Sequence, residues 1–267
     1  MTTGHRVAQP AAMTRRIFFR IFCTLFGVLC ALLTVGAVAT ALSSGGPGGR
    51  LHVLLLAHGG LTGAFLSAGF LVQLRRPAER VAAWQMLLVA VVVMEATGLA
   101  FGVDDPLFEI GFPAALLLTG LLHPTRGRLL RPGRWTSPVL APAALVAAVP
   151  AAMFTVHLGG QMHGLPTDQL LAVQAGCDVA ITIPFVGLLA ALRTTGWRLP
   201  TWSTGIVCVI FGLASAAYPD EIGSLGLAAG LVVALSGAGF VAVAEWEAAR
   251  TSAVPVQPDP TLGEAVI

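Results

Sequence analysis

The sequence predicts an all-α integral membrane protein with eight transmembrane helices and both termini on the cytoplasmic side. Three observations carry that expectation: composition, the spacing of apolar runs, and the placement of arginine. Of 267 residues, 56% are hydrophobic and only 10% charged, with mean hydropathy +0.83. Soluble domains carry about 25% charged residues, and a globule of this size still exposes much of its surface. Lipid is the solvent that suits most of this chain.

A helix needs roughly 20 apolar residues to cross ~30 Å of hydrocarbon. Runs of that kind fall at about 17–42, 51–74, 81–103, 106–123, 138–158, 168–193, 201–218 and 222–247. They define a membrane domain over 17–248 between a basic N-terminal tail, 1–16, and a C-terminal tail, 249–267. The first run extends about 21 residues past Arg20, longer than the ~7–15 of a signal-peptide core, so it reads as a retained helix despite the small-residue stretch "AVATA". The second carries His58 within "LLLAHGG" and a face of Gly59, Gly63 and Ser67, small residues that let helices approach closely. The third holds Glu95. The fourth follows Asp105 and Pro106, an N-cap with proline at the first helical position, and with the seventh is the shortest. The sixth contains Pro184, where a helix interior loses a hydrogen bond and kinks. Asp168 and Asp220 stand where the sixth and eighth begin. Glu109 and Glu221 fall in first turns, where an anion complements the helix dipole. The tail after Glu247 is Pro-rich and aperiodic, and is expected to be disordered.

The arginines set the topology. All fifteen basic residues are arginine, and fourteen fall near the N-terminus (Arg6, Arg15, Arg16, Arg20), in "RRPAER", "RGRLLRPGR" and "RTTGWR", or at Arg250. Only Arg50 falls on the opposite side. By the positive-inside rule this places both termini in the cytoplasm and the protein in the cell membrane, and the alternation requires an even count of eight. The arginine loops are short and juxtamembrane, which points to anionic lipid headgroups as partners and not to nucleic acid. The loops on the other side are too short to hold a soluble domain.

An internal repeat is expected. "GFLVQLRRPAERVAAW" at 69–84 aligns without a gap to "GLLAALRTTGWRLPTW" at 187–202, matching a glycine, two leucines, two arginines and the final tryptophan at a spacing of 118. "FG" followed by "EIG" recurs in the same order, and His58 falls against Gln174. Two four-helix halves of equal orientation follow, related by an axis along the membrane normal.

Familiar soluble signatures are missing from the sequence: no P-loop, no nucleophile elbow, no H-E-x-x-H, no paired-cysteine zinc pattern. Without a lysine there is no Schiff-base chemistry. The four cysteines lie in apolar runs and read as small buried hydrophobes. What remains is a set of polar groups at membrane depth: His58, Glu95 and Asp178, with Gln174 and Thr182 four residues either side of Asp178 on one helix face, and His157 at the end of the fifth run. A carboxylate there costs roughly 2.5–3.5 kcal/mol and is a functional-site hypothesis by default. The expectation is that His58 faces Glu95 and Asp178 across an outward-facing pocket. Three roles stay open: a small-solute or proton/cation transporter-like protein, a membrane-embedded metal- or haem-dependent enzyme with His58, His157, His163, Glu95 and Asp178 as candidate ligands, or a purely structural or assembly role. The cofactor, if any, and the protein partners are not specified by the sequence.

The topology is testable by reporter fusions. Fusions at Arg80, Arg131 and Arg198 should report cytoplasm, and fusions at Gly48, His163 and Asp220 the opposite side. One inverted pair contradicts the eight-helix alternation.

Overall fold

The computed structural model describes residues 10–44, 51–102, 107–131, 133, 137–162 and 165–252. Among them there are helices and turns and no strands. The helices are α1 (Pro10–Ser44), α2 (His52–Leu74), α3 (Val81–Phe101), α4 (a π-turn Leu107–Gly111 running into Phe112–Leu122), α5 (Leu140–Gly160), α6 (Thr167–Ala191), α7 (Arg198–Ala217) and α8 (Gly226–Ser252). In hydrocarbon no water can satisfy a bare N–H or C=O, so long apolar runs close their hydrogen bonds internally as helix.

Seven of the eight, all but α4, are long and apolar enough to cross a membrane. The apolar part of α4, Glu109–Leu122, spans ~21 Å at 1.5 Å per residue, short of ~30 Å of hydrocarbon. The expected start of that run, with Asp105 and Pro106, lies outside the described residues. Other boundaries shift. α1 begins at Pro10, inside the expected tail. α8 begins four residues later than expected, because Gly223 and Gly226 adopt φ of +77° and turn the chain before the helix starts. It also continues to Ser252, beyond the expected end.

The helices form an inner and an outer set. In α2, α3, α6 and α7 half or more of the most apolar stretch is buried (67%, 50%, 67% and 61%), against 17% in α1, 17% in α5 and 22% in α8. The inner four contact one another, with α3 on α6 and α2 on both α6 and α7. α1 packs on α2 and α4, and α4 also on α3. α5 packs on α6, and α8 on α7.

Close approach of backbones holds these pairs together. α7 and α8 meet through reciprocal glycines: a Cβ on Gly212 would lie 2.4 Å from the Gly230 carbonyl oxygen, and one on Gly230 2.6 Å from that of Gly212. Two turns away Gly205 and Gly237 repeat the arrangement at 2.9 and 2.8 Å. The small face of α2 works similarly on α1. Gly59 and Gly63 admit Val38 and Thr34, Thr34 pairs with the Thr62 hydroxyl at 2.9 Å, and Ser67 donates to the Gly27 carbonyl at 2.9 Å. Over Leu61–Ser67 this helix widens to π, a feature frequent at functional sites that no sequence signal announced.

The two ends of the bundle differ in charge. At one end the loop after α2 meets the loop after α6, where the Ala82 N–H donates to the Thr195 carbonyl at 3.0 Å. The loop after α4 joins them through Gly133 on Thr194 at 3.1 Å and through Gln85, which donates to the carbonyls of Leu129 and Arg131 at 2.9 and 3.0 Å. Phe19 of α1 stacks edge-on against His123, 5.3 Å between centroids, so the start of α1 and the end of α4 belong here too. Every arginine among the described residues lies in segments gathered at this end.

The glycine clasp predicts a sharp contrast. Gly212→Ala has no room without moving backbone and should cost ~1–3 kcal/mol. Gly239→Ala, with nothing within 4 Å of its Cβ, should be neutral or slightly stabilising. Thermal unfolding in detergent checks both, and equal shifts contradict the packing.

Candidate functional site

The polar stripe expected on α6 is present and turned inward. Gln174, Asp178 and Thr182 are 8%, 4% and 0% exposed. Their four-residue spacing stacks them on the face that meets α3 and α2. Asp178 lies eleven residues into α6, ~16 Å from its start. Pro184 follows inside the same continuous helix.

The partner of Asp178 is Thr97 of α3, itself 4% exposed, whose hydroxyl meets Asp178 Oδ1. Sequence reasoning missed Thr97. Its only signal is position: it stands two residues beyond Glu95, near the arginine-poor end of α3. Glu95 itself is half-buried at the margin of α3, within electrostatic range of Asp178 and of Glu109 in the first turn of α4. The structure therefore brings Asp178 and Glu95 into one neighbourhood, with Thr97 between the helices.

The chemistry at Thr97 is informative. Its oxygen also lies 3.1 and 3.0 Å from the carbonyls of Val93 and Met94. A hydroxyl has one proton and two acceptor lone pairs. When Asp178 is a carboxylate, Thr97 donates to it. When Asp178 is a neutral acid, its own O–H donates to Thr97, and Thr97 turns its proton to the helix carbonyls. Both protonation states are hydrogen-bonded after one hydroxyl rotation.

His58 is half-buried on α2, at the turn leading into the π segment, and its carbonyl accepts from Thr62 at 2.9 Å. α2 packs on α6, which carries Asp178. His157 is exposed on the outer helix α5 and pairs with Gln161, just past the end of that helix, at 3.1 Å. His163 lies outside the described residues. Among the described residues no three of His, Cys, Asp and Glu converge as a metal-binding group. All four cysteines are buried free thiols.

Two acids expected to serve their own helices behave differently. Glu221 precedes α8 by five residues and instead caps α2. Its carboxylate accepts from the Val53 N–H at 3.2 Å and meets His52 Nδ1 at 2.5 Å, while His52 stacks on Tyr218 at 4.2 Å. The orphan N–H groups and positive end of α2 explain the preference. Asp220 is exposed in the turn before α8. Asp168 occupies the first turn of α6, but its side chain is outside the described residues. Glu221 carried no sequence signal toward α2, since the contact joins residues 169 apart.

Glu221→Ala should cost about 1–2 kcal/mol of stability as α2 loses its cap, and Asp220→Ala less than about 0.5. Unfolding of the two variants in detergent checks this, and the reverse order contradicts the assignment.

Comparison with protein families, with characterised proteins and with solved structures gave no match to this chain.

Proposed function

We propose that this chain is a small proton- or cation-handling protein of the cell membrane, transporter-like, with its polar site opening toward the outside. In this reading all eight helices cross the bilayer, α4 as a short span, and both termini are cytoplasmic. The gathering of the described arginines at one end supports that orientation.

Two parallel four-helix halves belong to the same reading. The packing pattern supports them: α1 on α2 answers α5 on α6, α3 on α4 answers α7 on α8, and α3 on α6 answers α7 on α2. The pattern does not depend on the sequence matches that first suggested the repeat.

One observation carries the function: a buried carboxyl whose side-chain partner among the described residues, Thr97, serves it in either protonation state. A group that only fixes packing gains nothing from that freedom. Thr97 and Glu95 lie ~6 and ~9 Å from the arginine-poor end of α3, against ~16 Å for Asp178 from the start of α6, so the path leads from Asp178 toward that end. Toward the other end stand the buried hydroxyls of Thr182 and Thr204, neither with a hydrogen-bond partner among the described residues. His58, beside the π segment of α2, is the candidate for the remaining wall. Alternating access by rocking of one half on the other suits polar groups held between parallel repeats.

The test is ion flux in proteoliposomes under an imposed potential, with protons, sodium and potassium compared. The wild type should exceed protein-free vesicles for at least one ion. Asp178→Asn should abolish that flux and Thr97→Val should reduce it. No flux above protein-free vesicles, or an unchanged flux in Asp178→Asn, contradicts the proposal.

A further inference from the structure

At the arginine-bearing end a cleft of about 840 Å³ opens between the loop before α3, the start of α7 and the end of α8. It is remote from Asp178 and takes no part in the path above. Four arginines line it: Arg80, Arg193, Arg198 and Arg250. Two are already committed. Arg193 donates to Glu247 at 2.8 Å and to the Ala244 carbonyl at 3.2 Å, with its guanidinium 3.7 Å from the Trp197 ring centre. Arg198 pairs with Glu245 at 3.1 Å.

The other two are uncompensated. Arg80 and Arg250 enter no ion pair among the described residues, and Glu79 beside Arg80 is engaged by Arg76 at 3.5 Å. The Nε of Arg80 is buried and has no hydrogen-bond partner among the described residues. Arg250 lies flat on Trp246, 3.6 Å from the ring centre. Under the 118-residue spacing of 69–84 against 187–202, Arg80 corresponds to Arg198. Arg198 has the Glu245 carboxylate beside it, and Arg80 has no such partner among the described residues.

The fold holds Arg80 at this place. Gly196, at φ +89°, presses its backbone so closely on the 79–80 segment that a Cβ would lie 2.9 Å from the Glu79 carbonyl oxygen and 3.1 Å from the Arg80 Cα. That contact sets Arg80 beside the first turn of α7, a 20-residue helix whose positive end also faces the cleft. Buried donor, uncompensated charge and helix dipole all favour an anion with several acceptor oxygens.

We propose that this cleft binds a phosphate group between Arg80 and Arg250, at the level of the cytoplasmic headgroups. The phosphate belongs either to an anionic phospholipid or to a soluble phosphate compound. Arginine suits it because the planar guanidinium makes paired hydrogen bonds to phosphate oxygens. The neighbouring tryptophans suit a site at the membrane–water boundary.

The experiment uses the full chain purified in neutral detergent. Its thermal unfolding is followed while phosphatidylglycerol, phosphatidylcholine or inorganic phosphate is added, and native mass spectrometry counts retained lipid. Saturable stabilisation by phosphatidylglycerol but not phosphatidylcholine supports a lipid headgroup; stabilisation by inorganic phosphate as well supports a site for soluble phosphate. Arg80→Gln and Arg250→Gln should each weaken the response about tenfold. Arg76→Gln, exposed and outside the cleft, should not, and Arg80→Lys should keep part of it. Retained lipid in the wild type, read by mass, stands even if one variant folds poorly. No stabilisation by either anion, or an equal response in Arg76→Gln and Arg80→Gln, overturns the proposal.

Discussion

Hydrocarbon cannot solvate a polar group, and the rest of this structure depends on that constraint. Backbone bonds must close within helices, which accounts for the all-helical chain. Without water there is little hydrophobic drive between helices, so association falls to close backbone contact and interhelical hydrogen bonds. The Gly212–Gly230 and Gly205–Gly237 pairs supply the first, and Thr34–Thr62 and Ser67–Gly27 the second. Under the same constraint Asp178 is conspicuous. A carboxyl on an inner helix, where aliphatic residues pack well, has a burial cost that the Thr97 hydroxyl offsets in part.

Much of the fold was legible in the sequence because it follows from one-dimensional properties. Apolar length gave the seven long helices, and arginine placement anticipated which loops meet at one end. The stripe Gln174–Asp178–Thr182 was legible because helical period alone puts its members on one face. Small residues at Gly59, Gly63 and Ser67 marked the face of α2 that receives α1.

What escaped was set in three dimensions. Thr97 resembles any threonine in an apolar helix until α3 and α6 are packed. Glu221 looked like a cap for its own helix, and the sharp turns at Gly223 and Gly226 delivered it to α2 instead. The π segment Leu61–Ser67 arises where α2 fits against α1, α3 and α7 at once, a demand no local pattern records. His157 was placed in the site by depth alone, but α5 lies outside the inner ring and turns it away. Its neighbour across the site, His58, stays on an inner helix.

The central claim is that Asp178 exchanges its proton rather than holding one protonation state as a structural contact. Infrared difference spectroscopy of the protein in lipid membranes reads this directly through the carboxylic C=O stretch. The band present in the wild type and missing from Asp178→Asn should appear at low pH, shift in deuterated water and disappear as pH rises. Wild-type and Asp178→Asn spectra that do not differ, or a difference band that ignores both pH and deuteration, contradict the account.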